Sequence, residues 1–214
     1  MRDVARLVMQ DPPLAGRVLR VANSVYYGLR QPVSSISQAL VVLGLNRIKE
    51  IVSGIAILSL FPHVPGEPVF DRPRFWSHSV ATAFVSRYLT QLGRIKLQGE
   101  EFAAGLLHDL GLIFFDQYFH YDIIAALALQ EKQKLPLSQA ETRILGLTHP
   151  EAGAMLAERW KLPASLVDAI HFHHEPWKAK IEPTLAALVR SAELMATGRG
   201  VGFDESATPK NPMV

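Results

Sequence analysis

The residues best equipped for chemistry in this 214-residue chain are histidines, eight in all, and one His-Asp doublet. His78 lies in the middle of Phe75-Trp76-Ser77-His78-Ser79, and His108-Asp109 closes the run Ala103-Ala104-Gly105-Leu106-Leu107. His149 opens a helical segment before Pro150, and His171, His173 and His174 crowd the end of another. Neutral imidazole and carboxylate together suit zinc, manganese, iron or magnesium. Adjacent helical residues point about 100° apart, so His108 and Asp109 share an ion only where the helix ends or distorts. Gly111, two residues on, permits such a break.

Each of these residues also has a purely structural use. A His-Asp pair can cap a helix C-terminus, with the imidazole set favourably against the dipole. His78 can be a core histidine bonded to a carbonyl, His149 a helix starter, and the 171–174 cluster a half-solvated helix end. His63 and His120 have no partner in sequence and read as surface or structural residues. The weight lies in recurrence, because four separate helices each offer an imidazole at an end or on an apolar face.

The elements that must position these groups read as helix after helix. Asp11-Pro12-Pro13 is a helix start, with Leu14, Val18, Leu19 and Ala22 on one face and Asn23-Ser24 at the close. Ser35-x-x-Gln38, Ser138-x-x-Glu141 and Thr148-x-x-Glu151 carry capping-box spacing. The first of these opens a helix ending at Gly44, and Asn46 caps the next through Ile51, Ile55 and Leu58 to Phe61. Prolines at 62, 65, 68 and 73 form a stiff joint. Beyond it, helices are predicted over about 75–92, 100–110, 112–132, 138–146, 150–160, 164–173 and 184–197. Gly93, Gly111, Gly146 and Pro163 supply the breaks. No alternating β-branched run competes, so the fold class is all-α.

Composition removes several functions. An apolar fraction of 49% excludes a disordered chain, and the absence of cysteine excludes disulfides, thiolate zinc sites and a cysteine nucleophile. It also agrees with a reducing cytoplasm. A net charge of +2 without a basic, aromatic-interleaved patch argues against nucleic-acid binding. The longest strongly apolar run, 51–61, is too short to span a bilayer. Trp76 and Trp160 read as core anchors, and Asn23 as a left-handed helix cap.

In order, His78, His108-Asp109, His149-Pro150-Glu151-x-Gly153 and His173-His174-Glu175 resemble the HD superfamily of metal-dependent phosphohydrolases, especially its HD-GYP branch, which hydrolyses cyclic dinucleotides. The resemblance implies a helical bundle holding one or more divalent metals (Fe, Mn, Zn or Mg) around a bridging water. His78, His108, Asp109, His149, His173 and His174 are then the ligand candidates, and Asp109 is catalytic if the protein is an enzyme. The departures are specific. Gly111 is followed by Leu112 where catalytic relatives carry a phosphate-contacting lysine, and Pro176-Trp177-Lys178 stands in place of a Gly-Tyr-Pro motif. Ser191-Ala192-Glu193 offers Glu193 where an aspartate ligand is expected.

Gln10-Asp11-Pro12-x-Leu14, Arg17 to Ser24, Tyr26-Tyr27-Gly28, Ile36-x-x-Ala39 with Leu43-Gly44, and Trp160-x-Leu162-Pro163 resemble the HDOD family, the HD-related output domains. This likeness covers roughly residues 3–197. It implies an N-terminal helical subdomain over 1–66, an HD-like helical subdomain over 67–200 and a loose tail over 201–214. HDOD chains usually carry one more short helix ahead of this point, which implies a truncated or mis-assigned start. The resemblance further implies a bacterial, cytoplasmic signalling module with a protein partner and a degenerate or metal-occupied pocket. The alternative it leaves is a metal-dependent phosphohydrolase of a nucleotide or cyclic dinucleotide; a nucleotide-binding sensor without turnover lies between.

Overall fold

In the computed structural model, residues 2–23, 29–45, 47–48, 51–52, 55, 69–97 and 99–201 are described. They are helical, with no strand among them. They divide into two compact units, residues 1–62 and 63–214. The expected boundary at 66, His63, Ser24, Tyr26-Tyr27, Asn46, Leu58, Phe61 and the tail from 202 lie outside the described residues.

In the first unit, helices α1 (Arg2–Met9), α2 (Pro12–Ala22) and α3 (Ile36–Leu43) pack pairwise against one another. Helix α1 was not anticipated, because two turns offer too few positions to show a period. Its Ala5 and Val8 are buried nonetheless. Asp11 caps α2 by accepting the Leu14 amide at 2.9 Å, and Ser35 caps α3 by accepting that of Gln38 at 3.2 Å. The Gln38 side chain accepts from Ser34 instead of closing the box on Ser35. Asn23 is not left-handed, with φ −89°. Its amide instead pairs both backbone groups of Val33, at 2.9 and 2.7 Å, and so ties α2 to the start of α3. Ile51 and Ile55 are helical and buried, as their spacing predicts, and Ile48 is buried in the same way.

The second unit holds α4 (Arg72–Leu92), α5 (Glu100–Leu107), α6 (Leu110–Tyr118), α7 (His120–Gln133), α8 (Leu137–Leu145), α9 (His149–Arg159), α10 (Ala164–Phe172) and α11 (Pro183–Ala196). Helices α4, α5 and α11 form one mutually packed group, α9 joins α6 to α10, and α7 pairs with α8. The predicted 112–132 helix is broken at Phe119, where the backbone leaves the helical region (φ −131°, ψ 40°). Small residues let the first group approach closely. A Cβ on Gly105 would stand 2.8 Å from Cα of Ala83, so α4 and α5 approach backbone to backbone. Ala104, Ala186 and Val189 continue the packing toward α11.

The polar face of α4 is buried, against the usual rule for an outer helix. His78, Ser79, Thr82, Ser86, Arg87 and Thr90 all face inward. Arg87 finds Glu101 at 3.5 Å and the Phe102 ring at 4.5 Å. Asp116 is buried too; it accepts from the Val69 amide at 3.1 Å and from Arg72 at 2.5 Å, pinning the entry into α4. Trp76 and Trp160 are half-buried and do not anchor the core, which Phe102, Phe115, Leu110 and Leu112 occupy instead. Among the described residues, no single helix is long and apolar enough to cross a membrane.

Candidate metal centre

The chain breaks where the doublet lies. Helix α5 ends at Leu107, His108 still has helical angles, and Asp109 turns to φ −96°, ψ 19° before α6 begins at Leu110. The break frees the Asp109 side chain from the helix direction and lets it stand beside its neighbour. Gly111 serves a different end from the one expected. It lies inside α6, and a Cβ there would fall 2.0 Å from the carbonyl oxygen of His149. The missing side chain therefore lets α9 press its N-terminus against α6 and brings His149 to Asp109.

Asp109 is the hub. Its Oδ2 lies 3.0 Å from Nε2 of His108 and 3.7 Å from Nε2 of His78. Its Oδ1 lies 3.6 Å from Nε2 of His149 and 3.5 Å from Nε2 of His173. His174 joins this second side, with Nε2 3.0 Å from that of His149. The ligand atoms thus form two groups that share Asp109: His78, His108 and Asp109, and Asp109, His149, His173 and His174. Within each group they lie inside 4.8 Å of one another. All six anticipated ligands are brought together from α4, the α5–α6 break, α9 and the end of α10. Glu193 stands outside both groups, 2.9 Å from Arg190 and 3.8 Å from Nδ1 of His174.

Outer partners set the imidazole tautomers. Nδ1 of His108 donates to the carbonyl of Gly105 at 2.9 Å, and Nδ1 of His173 to that of Ile170 at 2.7 Å. Nδ1 of His149 donates to Glu141, which also accepts the His149 amide at 3.0 Å. These protons, assigned from their partners, leave three Nε2 lone pairs aimed at a carboxylate. Nε2 of His108 and of His173 are buried and make no well-formed hydrogen bond, with an Asp109 oxygen 3.0 Å from the first and 3.5 Å from the second. Lone pairs converging on a carboxylate repel unless a cation lies between them, so the donor set fits a divalent ion.

Burial by itself lowers His108, but the Asp109 carboxylate beside it outweighs burial and holds it above its ordinary value. Burial would raise Asp109, yet His108 and His173 keep it well below the usual carboxylate range. Burial holds His173 low, and burial together with His173 and His149 holds His174 far below the ordinary histidine value. At neutral pH the pocket therefore presents the Asp109 carboxylate and neutral His173 and His174, as a metal requires, while Asp109 favours a proton on His108 that an ion there would displace.

The metal-free fold acquires a pH dependence from this. His173 and His174 fold neutral while the unfolded chain protonates them below about pH 6.5. Their contribution is complete above that pH and is lost as pH falls, by about 1.4 kcal/mol per pH unit for each. His108 acts oppositely: its raised value contributes stability below about pH 6.5 that is lost as pH rises. Urea unfolding in chelator at pH 7.5 and 5.5 should show a net loss of roughly 1–3 kcal/mol at the lower pH. An unchanged stability would mean that the imidazoles accept protons in place.

Glu141 and Arg190 escaped the sequence reading. Ser138-x-x-Glu141 is not a capping box: α8 starts at Leu137, and Glu141 is turned inward onto His149. Eight residues across a turn carry no periodic signal. Thr148 with Glu151 does form the expected box and starts α9 at His149. Replacing Glu141 by Gln should weaken metal binding about ten- to a hundred-fold, measured by isothermal titration with Zn²⁺ or Mn²⁺. Unaltered affinity would deny Glu141 any part in orienting His149. His120 pairs with Asp116 at 3.3 Å, and His171 stacks on Phe172 at 4.2 Å, so neither enters the site.

The cluster opens into a cleft of about 630 Å³, lined among others by Asp109, His149, His174, Glu175, Arg190 and Glu193. Leu112, where the resemblance to catalytic HD proteins implies a lysine, is fully buried in the core and takes no part in the lining.

Three solved structures share this architecture. An HDOD domain protein of unknown function from Geobacter sulfurreducens is 31% identical with a TM-score of 0.84, covering 99% of this chain and 70% of that one. A candidate phosphohydrolase from Shewanella amazonensis SB2B is 28% identical with a TM-score of 0.76, covering 94% and 70%. A candidate signal transduction protein from Marinobacter aquaeolei VT8 is 27% identical with a TM-score of 0.74, covering 95% and 46%. An uncharacterized protein of Treponema pallidum (strain Nichols) is 26% identical over 175 residues; 81% of this chain spans 33% of that protein's length. The HDOD domain matches residues 1–176. The doublet, its histidine ring and the two helical units therefore have a family: the chain belongs to the HDOD domain proteins.

Proposed function

We propose that the chain is a bacterial, cytoplasmic signal-transduction output module that binds divalent metal in its HD-type pocket and acts on a protein partner without turnover. Metal binding rests on one observation above all: each oxygen of Asp109 faces its own set of histidine Nε2 atoms. The likeness to the Marinobacter signal transduction protein supports the signalling role. The cleft supports the absence of turnover. Its lining carries Asp109, Glu175 and Glu193 against Arg190, whose guanidinium is already committed to His174 and Glu193. Leu112 is buried, and no lysine is among the described residues that line the cleft.

A second reading, a phosphohydrolase of a nucleotide or cyclic dinucleotide, is favoured by the gathered ligand set and by the likeness to the Shewanella protein. In that case a divalent ion would supply a bound water acidic enough to ionise near neutral pH. The chain's own part would be positional. Asp109 would orient that water, Glu141 would hold His149 in its tautomer, and Arg190 would attract an oxyanion.

Elemental analysis of the purified chain, with turnover assays on cyclic dinucleotides and phosphomonoesters, separates the two. The expected result is bound metal below or near one equivalent and no turnover. Metal-dependent turnover abolished by Asp109→Ala would overturn the output-module reading in favour of the enzyme.

A further inference from the structure

We propose that Arg190 is a latch that holds His174 out of the metal ligand set and so determines whether the pocket takes one ion or two. The inference rests on the metal-binding reading above and concerns the second ligand group alone. Guanidinium nitrogens only donate. Nη1 of Arg190 lies 3.0 Å from Nδ1 of His174, so that Nδ1 is the acceptor and the neutral ring carries its proton on Nε2. That Nε2–H points at Nε2 of His149, 3.0 Å away, which is bare because the Nδ1 proton of His149 goes to Glu141. The three contacts form one relay of fixed direction, Arg190 to His174 to His149 to Glu141.

The relay consumes two of the four donors in the group of Asp109, His149, His173 and His174. His174 has no lone pair to offer at Nε2, and that of His149 is occupied by the His174 proton. The group of His78, His108 and Asp109 is untouched. Ligation by His174 requires its proton to move to Nδ1, and that nitrogen cannot donate while Arg190 donates to it. Glu193 is placed to accept a hydrogen bond from the proton once it lies on Nδ1: its Oε2 is 3.8 Å from Nδ1 of His174 and is held now by Arg190 at 2.9 Å. Release of Arg190 would thus leave a Glu193–His174 pair like the Glu141–His149 pair already formed. Arg190 has room to swing into the cleft once those bonds break, since its side chain is 33% exposed and borders it. Its action is positional, through the tautomer of His174.

Titration of the full chain with Mn²⁺ or Zn²⁺ in a non-coordinating buffer tests this, comparing wild type, Arg190→Met, and Arg190→Met with His174→Ala. The wild type should bind one ion and hold a second weakly. Arg190→Met should tighten the second ion about ten- to a hundred-fold, and adding His174→Ala should abolish that gain. Equal second-ion affinity in wild type and Arg190→Met would overturn the latch while leaving the metal site standing. A gain that survives His174→Ala would overturn it as well, since it would then come from removing a positive charge. Absence of any ion from all three proteins would overturn both the latch and the metal-binding reading. Nitrogen NMR of the metal-free wild type supplies an independent check: His174 should carry its proton on Nε2, and a proton on Nδ1 would sink the proposal.

Discussion

Gly111→Ala should destabilise the protein by more than about 3 kcal/mol, lowering the melting temperature by about 6–12 °C or preventing folding at 37 °C. The added methyl would lie 2.0 Å from the carbonyl oxygen of His149 and 2.8 Å from its carbonyl carbon. Both are backbone atoms at the N-terminus of α9, so no side-chain rotation relieves the clash. The helices would have to separate by about an ångström, against interiors packed too closely to yield. Gly153→Ala is the natural comparison. There the methyl would meet Cγ2 of Ile170 at 3.0 Å, the end of a side chain, and the nearest backbone atom at 3.3 Å. Its cost should be about 1 kcal/mol, well under that of Gly111→Ala. Thermal melting followed by circular dichroism measures both. A Gly111→Ala protein melting within about 2 °C of wild type would show that the α6–α9 contact is loose.

Asp109→Asn should reduce divalent-metal affinity by at least about a hundred-fold, some 2.7 kcal/mol. The substitution keeps the shape but removes the one carboxylate that both ligand groups share. It also puts an amide NH₂ where a second oxygen faced histidine lone pairs. In wild type, metal at a hundred times its dissociation constant should raise stability by about 2.7 kcal/mol, and chelator should reverse the gain. In the variant, the melting temperature should respond to neither. A metal-dependent shift of wild-type size in Asp109→Asn would remove Asp109 from the centre of the site and the metal reading with it.

Much of the fold was legible because helices announce themselves locally. Asp11, Ser35 and Thr148 cap where their spacing with later residues says they should. The spacing of Ile51 and Ile55 likewise predicts their burial. Reading failed where a polar residue's purpose lies across the fold. Glu141 has the sequence setting of a cap and the spatial setting of a histidine's support. Asn23 sits at a helix end yet bonds the backbone of a loop residue ten positions away. Gly111 resembles a helix stop but is a contact surface for α9. In α4 the polar residues face inward, so the usual division into apolar inside and polar outside misplaces its buried side.

The candidate site divides along the same line. The kinds of ligand, their order along the chain and the placing of each at a helix end or on an apolar face are properties of residue type and short-range period, and those survive in one dimension. Which oxygen of Asp109 faces which imidazole, and which histidine gives its lone pair to a neighbour instead of a metal, depends on ångström-scale distances. Those distances are set by helix pairs far apart in sequence: α4 on α11, α6 on α9, α5 on α10. The relay from Arg190 to Glu141 joins residues 49 apart in number through hydrogen bonds of about 3 Å, and such a direction of donation exists only once the helices have packed.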